Sequence, residues 1–170
     1  MATEHQIFLA IGSNIVPRKN SILKSLVAIK QSFPDQFEVS SVYLTDPFMQ
    51  VAQPAYYNCC VRFSADCSTQ DLLTFCGTLE TSLGRKRNDK KWNSRPIDID
   101  IVLFGNMIIN RPDLIIPHYD LANRDFFLKP LLELKSDLVH PALNEHLQQL
   151  LYQIPFEKRT HPQRLFKPTI

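Results

Sequence analysis

The chain has 170 residues, 44% of them hydrophobic and 21% charged, a balance that suits one soluble globular domain and excludes a disordered chain. Its apolar runs fall far short of the roughly 20 residues that cross a bilayer, and the first residues lack the basic flank of a secretory leader. The net charge of +2 hides an asymmetry: residues 85–95 hold six cations and one anion, so this window carries +5 and the remainder −3.

Ile7 to Ile11 is an apolar run closed by Gly12-Ser13-Asn14, which suits a buried strand ending in a tight turn. Leu23, Leu26, Val27 and Lys30 recur at helical spacing between Pro17, acceptable in a first turn, and Pro34, a stop signal. Phe37 to Leu44 reads as a second strand, Thr45 to Ala55 as a loop, and Tyr56 to Phe63 as a third strand. Ser68-Thr69-Gln70-Asp71 resembles a capping box. Leu72, Cys76, Leu79 and Leu83 follow along one helical stripe, and Gly84 fits the position just past the helix end. From Ile97 to Phe104, isoleucines and Leu103 alternate with Asp98 and Asp100, predicting a half-buried strand. Gly105-Asn106 then predicts a two-residue hairpin with a return strand at Met107 to Asn110. Leu143, Leu147, Leu150 and Leu151 predict a short C-terminal helix, followed by a basic, proline-containing surface tail over residues 158–170. The order strand, helix, strand, strand, helix, strand matches the ferredoxin-like β-α-β-β-α-β arrangement, an α+β fold with helices on one face of an antiparallel sheet. One domain is expected over residues 1–170, with its core at about 7–134.

The four glycines are too widely spaced to write either glycine-rich phosphate loop. A nucleotide would therefore depend on cationic side chains and metal-binding carboxylates. Asp98 and Asp100 supply the carboxylates: two apart on a strand, they project from one face and repel unless a cation sits between them. Magnesium suits such a pair, because it takes carboxylate oxygens and completes its octahedron with waters and phosphates. A solvated strand face is the equal alternative for two such acids taken alone. Arg85, Arg87 and Arg95 beside them tip the balance, since guanidinium groups take phosphate oxygens in paired contacts. Trp92 is the only tryptophan and lies within this charged window, where a large ring gains little unless it closes onto something. Tyr56-Tyr57-Asn58 offers rings beside an amide, although tyrosines at a strand start are more often core. Pro117-His118-Tyr119-Asp120, with Arg124 and Phe126, gathers further polar groups. The cysteines (Cys59, Cys60, Cys67, Cys76) contain no C-x-x-C pair, so buried free thiols in a reducing, cytoplasmic setting are expected.

Ala10-Ile11-Gly12-Ser13-Asn14, Pro54-Ala55-Tyr56-Tyr57-Asn58, Gly84-Arg85-Lys86-Arg87, Trp92 through Ile101 and Ile116-Pro117-His118-Tyr119 together resemble the 6-hydroxymethyl-7,8-dihydropterin pyrophosphokinases of folate biosynthesis. The resemblance runs from about Ile7 to Leu134. It implies Mg-dependent transfer of pyrophosphate from ATP to the pterin hydroxymethyl group, with release of AMP. It further implies that Asp98 and Asp100 bind two magnesium ions, and that Arg85 and Arg95 contact phosphate oxygens with Arg87 nearby. Tyr56 and Phe126 would sandwich the pterin, and Asn58 would read its polar edge, helped by main-chain groups around Thr45 and Phe48. Trp92 would fold in over the site. Ile101, His118, Tyr119 and Arg124 would touch ATP, with Glu80 near the nucleotide. Gly77, Asp113 and Ile115 depart from residues that relatives often carry near ATP. The resemblance implies small-molecule substrates, a monomer, and no nucleic-acid or membrane partner. Two other readings compete: a ferredoxin-like nucleic-acid-binding module, and a metal-dependent nucleotidyltransferase. The first expects basic charge across a face that here carries Asp98 and Asp100, and the second expects a glycine-serine start before the acids.

Overall fold

The computed structural model of the chain describes residues 4–47, 52–86 and 94–170. Strand β1 (His5–Ser13) is an interior strand of the sheet and is covered on both sides. Ile7, Leu9 and Ile11 join the core on one face, and Phe8 and Ala10 join the core on the other. A strand buried on both faces reads as a continuous apolar run rather than an alternating one, which explains Ile7 to Ile11.

Helix α1 (Arg18–Ser32) sets Ile22, Leu26 and Ile29 against the first face, each fully buried. Burying one such side chain contributes about 1.5–3 kcal/mol. The strand expected at 37–44 is interrupted. Strands β2 (Glu38–Val39) and β3 (Val42–Thr45) both pair with β4 (Tyr56–Ala65), but Ser40 and Ser41 separate them. The Ser40 hydroxyl accepts from the Cys60 N–H at 2.9 Å, so a side chain replaces a ladder carbonyl. Helix α2 (Thr69–Ser82) begins as expected, the Ser68 hydroxyl accepting from the Asp71 N–H at 3.1 Å. Its C-terminus is a Schellman turn: Gly84, at φ +96°, donates to Thr81 O, and Arg85 N–H reaches back to Glu80 O, both at 3.0 Å.

Strand β5 (Asp98–Phe104) pairs with β1, and the sheet order is β10-β3-β4-β1-β5, with β10 (Gln163–Phe166) on the outer edge of β3. Neighbouring strands run antiparallel, giving the expected α+β fold. Between them lie the short hairpin of β6 (Ile109–Arg111) and β7 (Leu114–Ile116), helix α3 (Asp125–Leu134), the paired β8 (Val139–His140) and β9 (Glu145–His146), and helix α4 (Leu147–Gln153).

Several expectations are corrected. Helices cover both faces, not one: α1 and α2 pack with Ile7, Leu9 and Ile11, while α3 and α4 pack with Phe8, Ala10, Val102 and Leu103. Leu103 lies on the opposite face from Ile97, Ile99 and Ile101, because the β1–β5 register slips between Phe8/Leu103 and Leu9/Ile101. That slip is a bulge at Val102, whose carbonyl accepts the His118 N–H at 3.0 Å. Gly105 turns the chain at φ +53°, but no return strand follows on β5; β6 starts at Ile109 and pairs with β7. The connection spans residues 105–108, too long for the tight hairpin. Leu143 is exposed and precedes α4 rather than joining it. The tail is not simply a surface appendage, since β10 extends the sheet and Thr160 is buried. Helix α3 had no clear sequence signal, because Pro130 sits inside it and is normally a helix breaker. Burial of Phe127, Leu128, Leu131 and Leu134 compensates.

Candidate active site

The register of three strands builds the floor of a cavity. Gly12 on β1 pairs with Asn58 on one side and Asp98 on the other; two residues back, Ala10 pairs with Cys60 and Asp100. Small residues at 10 and 12 leave the space into which the longer neighbours project. A Cβ at Gly12 would lie 2.7 Å from Asn58 Oδ1, so only glycine permits this approach. The cavity is lined by Thr45, Asp46 and Pro47 from the β3 exit, Gln53, Tyr56 and Asn58 from the β4 entry, Arg95, Asp98 and Asp100, and Arg124, Phe126 and Phe127 at the start of α3. It thus joins an aromatic, hydrogen-bonding end to a charged one.

At the first end, Asn58 Nδ2 donates to Thr45 Oγ1 at 2.7 Å. Tyr56 OH donates to Gln53 Oε1 at 3.1 Å, and burial pushes its phenol pKa up. Phe126 packs edge-on to Phe127, 4.8 Å between ring centres, with the Arg124 guanidinium 5.5 Å from the Phe126 ring.

At the second end, Asp98 and Asp100 share the cavity face, as two strand residues of one parity must. Arg85 Nη1 donates to Asp98 Oδ1 at 2.5 Å and Arg95 Nη1 to Asp98 Oδ2 at 2.9 Å. Arg95 and Asp98 line the cavity, whereas Arg85 does not line it and meets the site through Asp98. Arg85 reaches this place because the Schellman turn puts it one helical turn from Glu80, with which it also pairs. Glu80 does not line the cavity. Its Oε1 accepts the Ile99 N–H at 2.7 Å, on the outer edge of the sheet's last strand. Burial, and then the nearby Asp98 charge, raise the Glu80 pKa to about 7 against the pull of Arg85. Burial first and Asp98 second likewise raise Asp100 to about 8. Two acids on one face, with the Asp98 charge helping to hold Asp100 back from ionising, fit a divalent cation, whose charge would relieve the repulsion. Among the described residues no third acid, His or Cys joins them, so the donor set suits an ion that keeps water and phosphate ligands, as magnesium does.

His118 sits beside Asp100, its Nε2 4.0 Å from Oδ1, while its Nδ1 accepts the Asp120 N–H at 3.2 Å. That acceptor role fixes the neutral tautomer with hydrogen on Nε2. Burial, and then the Arg124 charge, lower its pKa from 6.5 to about 4. A depressed histidine stabilises the fold above the unfolded value, and this contribution is lost as pH falls from 6.5 towards 4. The expected loss at pH 5 is about 2 kcal/mol relative to pH 7. Glu80 and Asp100, both raised, act in the opposite sense, so the contribution is read as the difference between the wild type and His118→Gln in urea unfolding at the two pH values. Equal pH slopes for the two proteins would refute it.

Tyr119 is exposed and stacks on His118, 4.5 Å between centres, with Arg124 over its ring; Arg124 Nε donates to Asp120 Oδ2 at 2.7 Å. The Ile101 side chain points away from the cavity into the core with α1 and α2. Phe48, Arg87 and Trp92 lie outside the described residues.

Sequence reasoning gave no role to several residues that organise the site. Asn14 is the main one. Its Nδ2 faces Ser94 Oγ at 3.2 Å, Gln53 Oε1 at 3.3 Å and the Pro54 carbonyl at 3.4 Å, and its Oδ1 accepts the Arg95 N–H at 2.8 Å. The signal available was its place directly after Gly12-Ser13 at a strand end, where an amide can serve converging loops.

Comparison with known proteins finds relatives over most of the chain. A profile of the family described as 7,8-dihydro-6-hydroxymethylpterin-pyrophosphokinase matches residues 8–136. The chain is 34% identical over 154 residues to the 2-amino-4-hydroxy-6-hydroxymethyldihydropteridine pyrophosphokinase of Pseudomonas aeruginosa, covering 89% of this chain and 93% of that one. It is 38% identical over 135 residues to the Haemophilus influenzae protein of the same name, covering 79% and 84%. A crystal structure of the Plasmodium falciparum HPPK-DHPS with pterin and p-hydrobenzoate superposes with a TM-score of 0.65 at 14% identity, over 90% of this chain and 45% of that longer one. That last likeness shows the shared fold. The α+β scaffold with a charged, aromatic-lined cavity is thus that of an ATP-dependent diphosphotransferase. The chain belongs to the 7,8-dihydro-6-hydroxymethylpterin-pyrophosphokinase family.

Proposed function

We propose that the chain transfers the pyrophosphoryl group of ATP to the hydroxymethyl oxygen of 6-hydroxymethyl-7,8-dihydropterin, in the cytoplasm, as a step of folate biosynthesis requiring magnesium. The observation that carries this reading is the single cavity with rings and paired hydrogen-bonding groups at one end and two acids bracketed by arginines at the other. A flat heterocycle suits the first end: Tyr56 and Phe126 supply apolar faces, and Asn58, oriented by Thr45, presents both donor and acceptor capacity to its polar edge. A polyphosphate suits the second. Two magnesium ions held by Asp98 and Asp100 would neutralise it and polarise the phosphorus under attack.

The side chains themselves supply alignment and charge. Arg85 and Arg95 exchange Asp98 oxygens for phosphate oxygens, gaining bidentate contacts as negative charge redistributes. The small residues Ala10 and Gly12 on the cavity floor leave room for the two substrates to lie side by side. The alcohol oxygen bonds to the β-phosphorus, the bond to the α-phosphate oxygen breaks, and AMP leaves with the electron pair; the alcohol proton passes to solvent. Arg124 lines the charged end, His118 lies beside Asp100 with Tyr119 stacked on it, and these three would touch ATP, while Glu80 would act by holding Arg85.

The test is product analysis. AMP should accumulate only when ATP, magnesium and the reduced hydroxymethylpterin are all present, in amounts equal to the pyrophosphorylated pterin. Release of inorganic pyrophosphate with a nucleotide-capped acceptor would instead mark a nucleotidyltransferase and overturn the reading.

A further inference from the structure

We propose that Thr160 is a positioning residue for the pterin end of the cavity, forming with Asp125 and the Asp46 N–H a buried crosspiece that sets the spacing of its two walls. The inference rests on the pterin reading above. One wall is the start of α3, where Arg124 and Phe126 line the cavity and Asp125 lies between them in sequence. The other is the β3 exit, where Thr45, Asp46 and Pro47 line it. These walls are some eighty positions apart in the chain, and the crosspiece comes from neither.

The Thr160 hydroxyl donates to Asp125 Oδ1 at 2.6 Å and its N–H to Asp125 Oδ2 at 2.9 Å, so the carboxylate is gripped by both oxygens. On its other side the Thr160 carbonyl accepts the Asp46 N–H at 3.0 Å. Asp125 is 3% exposed and Thr160 2%, so water cannot substitute for a lost partner. The crosspiece is itself anchored at both ends. Before it, Arg159 Nε donates to the Ile154 carbonyl at 3.0 Å; after it, His161 turns the chain at φ +48° and β10 pairs with β3, Gln163 opposite Leu44. Thr160 lies beyond the residues 8–136 that match the family profile, so the C-terminal segment contributes to the site without lining it.

Thr160→Val keeps the shape and both main-chain hydrogen bonds but removes the hydroxyl. It should raise KM for the pterin about tenfold, because the ring-stacking wall drifts relative to the hydrogen-bonding wall, while KM for ATP and kcat change less than about threefold. Thr160→Ser should restore the wild-type values. Asp125→Asn, which weakens the same grip from the other side, should give the same selective effect in equilibrium dialysis of the pterin against folded protein. Unchanged pterin affinity in Thr160→Val, or equal losses for both substrates and turnover, would overturn the proposal. Phe126→Ala is the control: if it fails to weaken pterin binding, the pocket reading fails and the proposal with it. If it weakens binding and both Thr160→Val and Asp125→Asn do not, the crosspiece alone is refuted.

Discussion

Asp98→Ala should lower turnover by about 10³-fold or more while leaving the protein folded. The Asp98 carboxylate is the shared partner of Arg85 and Arg95, and on the proposed reading it is also a metal ligand. Its removal therefore disturbs each charge-neutralising component of the site at once. The stability cost is small by comparison. Arg85 keeps its pairing with Glu80, and Asp100 loses the neighbour that helps push its pKa up to about 8. The side chain is a quarter exposed, so solvent screens the lost ion pairs. The check is the rate of AMP formation at saturating ATP and pterin, beside a thermal melt. Turnover within tenfold of wild type would show that Asp98 is no more than a structural partner for the arginines. A titration of Asp98→Asn with magnesium separates loss of charge from loss of shape: weakened metal dependence is expected, because an amide oxygen is a poorer ligand for a hard cation.

The charged half of this site was legible because strand parity is a strong constraint. Asp98 and Asp100 must share a face wherever the strand lies, and the isoleucines between and before them choose which face is core. The capping serine of α2 and the glycine behind it were legible for the same reason, since both answer local backbone requirements. What sequence spacing missed depends on contacts between distant segments. The Val102 bulge moves Leu103 to the other face, and nothing in an alternating apolar pattern signals one extra residue. Helix α3 is stabilised by its burial against the sheet in spite of Pro130, so its tertiary context outweighs its local propensity. The division of the 37–44 strand follows from a serine hydroxyl standing in for a backbone carbonyl, visible only once Cys60 is opposite it. The aromatic, hydrogen-bonding end was singled out at Tyr56, Asn58 and Phe126 through the family resemblance, whereas the frame around them, Asn14, Gln53, Asp125 and Thr160, consists of polar residues most of whose partners are far away in the chain.

Asn14→Ala tests that frame at its most connected point. Asn14 is 1% exposed, and its side chain joins the end of β1 to the loop before β4 and to residues 94 and 95. Its backbone N–H also donates to the Arg95 carbonyl at 3.3 Å, so the side chain and main chain together hold Arg95 by both of its peptide groups. Truncation leaves the Arg95 N–H without its side-chain acceptor and should cost about 1–3 kcal/mol of stability. The larger consequence is catalytic: with the side-chain anchor lost and the main-chain one left, the backbone at Arg95 shifts enough that its guanidinium no longer meets Asp98 at the observed distance, and turnover should fall about 10²-fold. Asn14→Asp divides the two effects. It keeps the acceptor for Arg95 but loses the donor to Ser94, Gln53 and Pro54, so it should recover much of the turnover while leaving the loop before β4 loosened. Urea unfolding and steady-state rates on both variants give the comparison. If Asn14→Ala loses stability but keeps turnover within threefold of wild type, Arg95 is held by other contacts and Asn14 is only a structural link.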